Sequence, residues 1–118
     1  MKRFILVGAV FAVLSTPALA VADDFAQLES WNMEVNNHEY MADSFDKVVA
    51  ENANYFVVYQ NAGTSCAAGS HWLFNKQYKS YRAIDSGTCD DRDFKVTLNS
   101  DQLIFMSGKT LTALYPIY

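Results

Sequence analysis

From Asn54 onward, apolar runs of four to seven residues alternate with clusters of Asn, Asp, Ser and Gly. Runs that short suit strands rather than free-standing helices, and turn residues recurring every ~8–12 positions mark an antiparallel β protein. Tyr55 to Gln60 (YFVVYQ) is aromatic and β-branched, and it stops at Asn61-Ala62-Gly63, where the glycine can take positive φ. His71 to Phe74 follows and breaks at Asn75-Lys76-Gln77; Tyr78 to Ile84 closes at Asp85-Ser86-Gly87. In Phe94 to Leu98, Phe94, Val96 and Leu98 take one face while Lys95 and Thr97 take the other. Asn99-Ser100-Asp101 turns that run into Leu103 to Met106, and Ser107-Gly108-Lys109 turns it again into Leu111 to Tyr115. The pattern predicts a meander of six strands, one sheet curling onto itself or onto the segment before it.

The segment before it admits two readings. Met41, Phe45, Val48 and Val49 recur at i, i+4, i+7 and i+8, which makes residues 39–50 an amphipathic helix laid over the sheet. Alternatively Trp31, Met33 and Val35 alternate, Asn36-Asn37 turns, and His38, Tyr40 and Ala42 alternate after it, adding two or three strands. The expected fold is therefore mainly β: an antiparallel meander or sandwich of about six to nine short strands, with at most one short N-terminal helix.

Met1 to Ala20 reads as an export signal. Lys2 and Arg3 are basic, Phe4 to Leu14 is unbroken and apolar, and Ala18-Leu19-Ala20 has the small-x-small form of a cleavage site, with Ala20-Val21-Ala22 as a second one. The apolar run falls well short of the ~20 residues that span a bilayer as a helix. Residues 21–118 then form one small domain, delivered to an oxidising periplasm.

That compartment decides the chemistry of Cys66 and Cys89, the only cysteines in the chain. Their spacing is not CxxC and no further zinc ligands accompany them, so a structural disulfide is expected. In the chain-entropy picture such a cross-link contributes roughly 3 kcal/mol. A small domain with a limited core benefits from a staple of that size.

Charge is unevenly divided. Between Val21 and Glu51 stand Asp23, Asp24, Glu29, Glu34, Glu39, Asp43, Asp46 and Glu51 against Lys47 alone, whereas the remainder is nearly balanced. An acidic chain is a poor partner for nucleic acid or anionic lipid. It can equally be read as surface charge that keeps a small exported domain soluble.

Candidate chemistry is sparse. His38 and His71 are the two histidines, and a hydrolase would need one of them to converge with a nucleophile such as Ser70 or Ser86 and with a carboxylate. Neither GxSxG nor HExxH is present, and no enzyme activity is expected. Asp90-Asp91-Arg92-Asp93 is a solvated loop in which Arg92 offsets the acids; with Asp85 it lacks the spacing of a looped calcium site. The sequence asks for no cofactor and no metal. Tyrosines are numerous, and Tyr55, Tyr59, Tyr78, Tyr81, Tyr115 and Tyr118 cannot all face inward in a one-sheet meander. A protein partner or a second copy of the chain would cover those left outside.

An export signal, a single β-rich domain, the Cys66/Cys89 pair and an acidic, aromatic surface resemble the small periplasmic immunity and inhibitor proteins of Gram-negative bacteria. These include lysozyme inhibitors and the immunity partners of type VI secretion effectors that attack peptidoglycan. Ser86-Gly87 is similar to the Ser/Gly-rich loop of some lysozyme inhibitors, although Thr88-Cys89-Asp90-Asp91 does not continue that pattern. The resemblance implies a protein that occludes the cleft of a cell-wall hydrolase. It implies contacts through Trp31, Glu34, Glu39 and Tyr40 on the acidic front and through Asp90, Asp91 and Asp93 in the loop. A small-ligand carrier or a structural envelope protein is the alternative, and a carrier would show an internal cavity.

Overall fold

The computed structural model describes residues 25–34 and 38–117. It contains eight strands: β1 (Asn32–Met33), β2 (Lys47–Glu51), β3 (Tyr55–Gln60), β4 (Ser70–Asn75), β5 (Ser80–Ile84), β6 (Phe94–Leu98), β7 (Gln102–Ser107) and β8 (Thr110–Pro116). Short 3-10 helices cover Phe25–Ser30 and Gly63–Ser65. The five-stranded sheet runs β1-β5-β4-β3-β2 and the three-stranded sheet β6-β7-β8. Each is an antiparallel meander except for β1, which pairs in parallel with β5 through Asn32↔Ser80 and Met33↔Tyr81. The mainly β architecture expected from the turn cadence is present, in its sandwich form of two sheets.

The larger sheet is buried on both faces, which explains the continuous apolar runs of its central strands. Phe56, Val58, Trp72, Phe74 and Tyr81 point to one side, where the N-terminal segment covers them with Leu28 and Tyr40. Val57, Leu73 and Ile84 point to the other, against Leu98, Leu103 and Phe105 of the smaller sheet and Ile117. Period-two alternation thus sends neighbouring residues of a single strand into two separate cores. Aromatic rings dominate the first: Phe56 and Phe74 stack at 5.0 Å, and Tyr40 meets Trp72 and Phe74 edge-on at 5.3 and 5.2 Å.

Between His38 and Asp46 the chain is neither helix nor strand. The helical reading of 39–50 required Met41 and Phe45 to be buried, yet both are 68 % exposed, while Tyr40, next to Met41, is fully buried. Side-chain bonds replace the helix ladder. The Tyr40 hydroxyl donates to Asp46, the Asp46 carboxylate also accepts from the Asp43 amide at 3.0 Å, and the Tyr40 amide donates to Tyr81 Oη at 3.0 Å. The His38/Tyr40/Ala42 alternation likewise forms no strand; the turn expected at Asn36-Asn37, Tyr118 and the segment read as an export signal lie outside the described residues.

His71 is the misfit of the second core. It is 2 % exposed, neither ring nitrogen has a hydrogen-bond partner, and Tyr59, Phe94 and Phe105 surround it at 5.9, 5.4 and 5.1 Å. Burial disfavours the imidazolium and lowers the pKa to about 4. Because the folded value lies below the unfolded one, the stability contributed by neutral His71 is complete above about pH 6.5. It is lost as pH falls toward 4, by about 3 kcal/mol in all. His71→Phe should remove that dependence: the Tm advantage of the variant over the native protein is expected to widen steadily from pH 7 to pH 4 in a thermal-melt series. A constant difference would show that His71 does not titrate on unfolding.

Candidate functional site

The Cys66–Cys89 disulfide forms as expected, with a Cα–Cα separation of 4.7 Å. It ties the short helix after β3 to the loop after β5, and the Ala68 amide donates to Cys89 O beside it at 3.1 Å. Beyond the staple the 85–93 loop is held at almost every step. Ser86 Oγ donates to Thr88 O at 2.8 Å, Thr112 Oγ1 to Ser86 O at 2.7 Å, and the Tyr115 hydroxyl to Asp85 O at 2.6 Å. Gly87 has φ +82 and lies so close to β8 that an added Cβ would stand 2.1 Å from Thr112 O, so only glycine fits. Ser86 is buried, and the Ser86-Gly87 pair is therefore packed onto β8 instead of projecting as an inhibitory finger.

The acidic tip follows. Arg92 binds Asp90 through Nε and Nη2 at 3.0 and 2.8 Å, an arrangement that holds the Asp90 carboxyl down at about 2 and raises the Arg92 guanidinium. Asp93 has φ 50, a left-handed conformation that aspartate tolerates, and its carbonyl accepts from the Gly108 amide of the β7–β8 turn at 3.0 Å. With Asp90 paired, exposed Asp91 and Asp93 carry the net negative charge of the tip.

The acidic front is built differently. Trp31 is half-buried, edge-on to Phe56 and Phe74 at 5.8 and 5.6 Å, with Lys79 Nζ 5.1 Å from its ring centre. Glu34 extends the parallel pairing by donating its amide to Tyr81 O at 2.9 Å, and its carboxylate accepts from Ser80 Oγ at 3.2 Å and faces Arg82 at 4.0 Å. Glu39 is exposed. Tyr40 is not a surface contact: its ring is core and its hydroxyl is pushed upward in pKa by burial and by the Asp46 carboxylate. A buried tyrosine serves here as the pin of the loop rather than as its anchor on a partner.

What the pin presents is Met41 and Phe45. Gln60 Nε2 donates to Met41 O at 2.8 Å and to the Asp46 carboxylate at 3.2 Å, while Gln60 Oε1 accepts from Trp72 Nε1 at 3.2 Å. The Ala42 amide donates to Glu29 at 2.7 Å. Two large apolar side chains thus stand in solvent on a fixed backbone, next to exposed Glu39 and Asp43. Of the two readings of this segment, the helical one put Met41 and Phe45 on a buried face; their proximity to Asp43, Ser44 and Asp46, all turn formers, is the signal against it.

The two loops share one feature, an open groove of about 840 Å³ with His38 at one side and Ser86 to Cys89 at the other, floored in part by Trp72. Ser86 Oγ donates to Thr88 O and neither His71 nitrogen makes a hydrogen bond, so Ser86 and His71 do not form a serine–histidine pair. Among the described residues no three His, Cys, Asp or Glu side chains cluster as metal ligands, and no helix is long and apolar enough to cross a membrane. Fold and surface together define a disulfide-stapled, two-sheet β protein whose prominent exposed features are two braced acidic loops. Comparison of the chain with protein-family models, curated proteins and solved structures returns no match.

Proposed function

We propose that this protein is a periplasmic immunity protein or inhibitor that binds a peptidoglycan-degrading hydrolase and occludes its cleft. The observation that carries the reading is the bracing of the acidic 85–93 loop, pinned by the disulfide at its base, by Thr112 and Tyr115 along its side and by Gly108 at its tip. Occlusion favours an element that is already ordered, because ordering a loop on contact subtracts from affinity. Asp91 and Asp93, with Glu39 and Asp43 on the neighbouring loop, complement a cleft lined by basic side chains. Met41 and Phe45 supply the apolar anchors that such an interface needs at its centre.

The test is protection. Cells exporting this protein should survive a muramidase, amidase or endopeptidase directed to their periplasm, for at least one member of that panel. The triple variant Glu39→Lys, Asp91→Lys, Asp93→Asn keeps the left-handed position occupied by a tolerant residue and should melt as the native protein does. It should weaken binding of the protected hydrolase at least about tenfold, with most of the loss in association rate and in salt sensitivity. Survival with no member of the panel, or full protection by the triple variant, would contradict the proposal.

A further inference from the structure

A second cavity, which shares His71 with the groove, lies between the two sheets. Its volume is about 340 Å³, at the lower end of the ~300–1,000 Å³ of small-molecule sites. Val49 of β2 and Phe94 and Val96 of β6 supply apolar walls, and the rings of Tyr59 and His71 complete them. Lys47 and Asp91 line it as well, and both are exposed, so they stand at its mouth. Neither makes an ion pair with a described residue; Lys47 Nζ rests 5.2 Å from the centre of the Tyr59 ring.

Two observations converge. The walls at Val49, Phe94 and Val96 are apolar and select an apolar body of small size. Opposite charges at one mouth, unpaired with each other, select a ligand carrying both signs close together, since a simple amine or acid would satisfy only one of them. We propose that this cavity binds a free α-amino acid with an apolar side chain, its carboxylate at Lys47, its ammonium at Asp91 and its side chain between Val49, Phe94 and Val96 against His71. The titratable groups facing the ligand are then Lys47, Asp91, Tyr59 and His71; His71, neutral near pH 7, adds no charge to upset the match. This inference needs no protein partner and shares only Asp91 with the hydrolase reading, so Lys47→Met tests it separately.

The experiment is an NMR titration of the oxidised protein with leucine and phenylalanine, each as L and D enantiomer, following backbone amides and the His71 imidazole. N-acetyl-leucine lacks the ammonium, isoamylamine lacks the carboxylate and glycine lacks the side chain. Saturable shifts at Val49, Tyr59, His71, Phe94 and Val96 are expected with the zwitterions, and binding at least about tenfold weaker with each control. Lys47→Met and Asp91→Asn, both surface changes, should each weaken leucine binding by a similar factor, and Val96→Trp should abolish it by filling the cavity. Absence of saturable shifts with every zwitterion would overturn the proposal. So would N-acetyl-leucine or the amine binding as well as leucine, or Lys47→Met and Asp91→Asn binding unchanged.

Discussion

Replacing Tyr40 with alanine should lower the free energy of unfolding by about 3–5 kcal/mol, the range for deleting a large buried ring. Tyr40 is fully buried against Trp72, Phe74 and Tyr81, so its removal opens a cavity in the core beneath the N-terminal segment. Tyr40→Phe keeps the ring and loses only the hydroxyl. It should cost about 1–2 kcal/mol, because the Asp46 carboxylate forfeits one donor in a buried site but keeps Gln60 and the Asp43 amide. Urea unfolding of the two variants separates packing from hydrogen bonding. Were Tyr40 an exposed contact, both substitutions would leave stability within a few tenths of a kcal/mol.

The second large effect concerns the staple. Cys66→Ser with Cys89→Ser, or reduction of the native protein, should destabilise the fold by about 3 kcal/mol, a fall in Tm of roughly 12–24 °C. The loss should be local in its consequences. Asp85 to Thr88 remain tied to β8 through Thr112 and Tyr115, whereas Ala67 to Gly69 lose their covalent neighbour. Differential scanning calorimetry of oxidised and reduced protein gives the magnitude, and an unchanged Tm on full reduction would show that the disulfide contributes nothing to the fold.

Much of the strand content was legible because it is local. The runs at Tyr55–Gln60 and Phe94–Leu98 coincide with β3 and β6, and the others differ from β4, β5, β7 and β8 by one or two residues at their ends. Turn residues and alternation act over a few positions, so a single sequence displays them. A sandwich was among the expected forms, but which strands join which sheet was not legible, since it depends on which faces of β3 and β4 meet which remote segment. Nor was the parallel strand β1, two residues long and paired with β5 far along the chain. The 38–46 loop failed for the same reason: its form is dictated by Tyr81, Gln60 and Glu29, which a helical-spacing argument cannot weigh.

The candidate site divides along that line. The acidic tip at Asp90 to Asp93, and the offset of its charge by Arg92, could be read from adjacent residues. Tyr40 could not be separated from Trp31 and Glu39 as a surface residue, because only the fold reveals the cavity it fills. Met41 and Phe45 emerged as exposed anchors for the converse reason: apolar residues are presumed inside until their neighbours are known.

Occlusion itself is tested most directly by kinetics. Hydrolysis of isolated peptidoglycan by the protected hydrolase should be inhibited by the oxidised protein in competition with the polymer, the apparent inhibition constant rising in proportion to peptidoglycan concentration. Inhibition independent of polymer concentration, or none at all, would contradict a protein that works by filling the cleft.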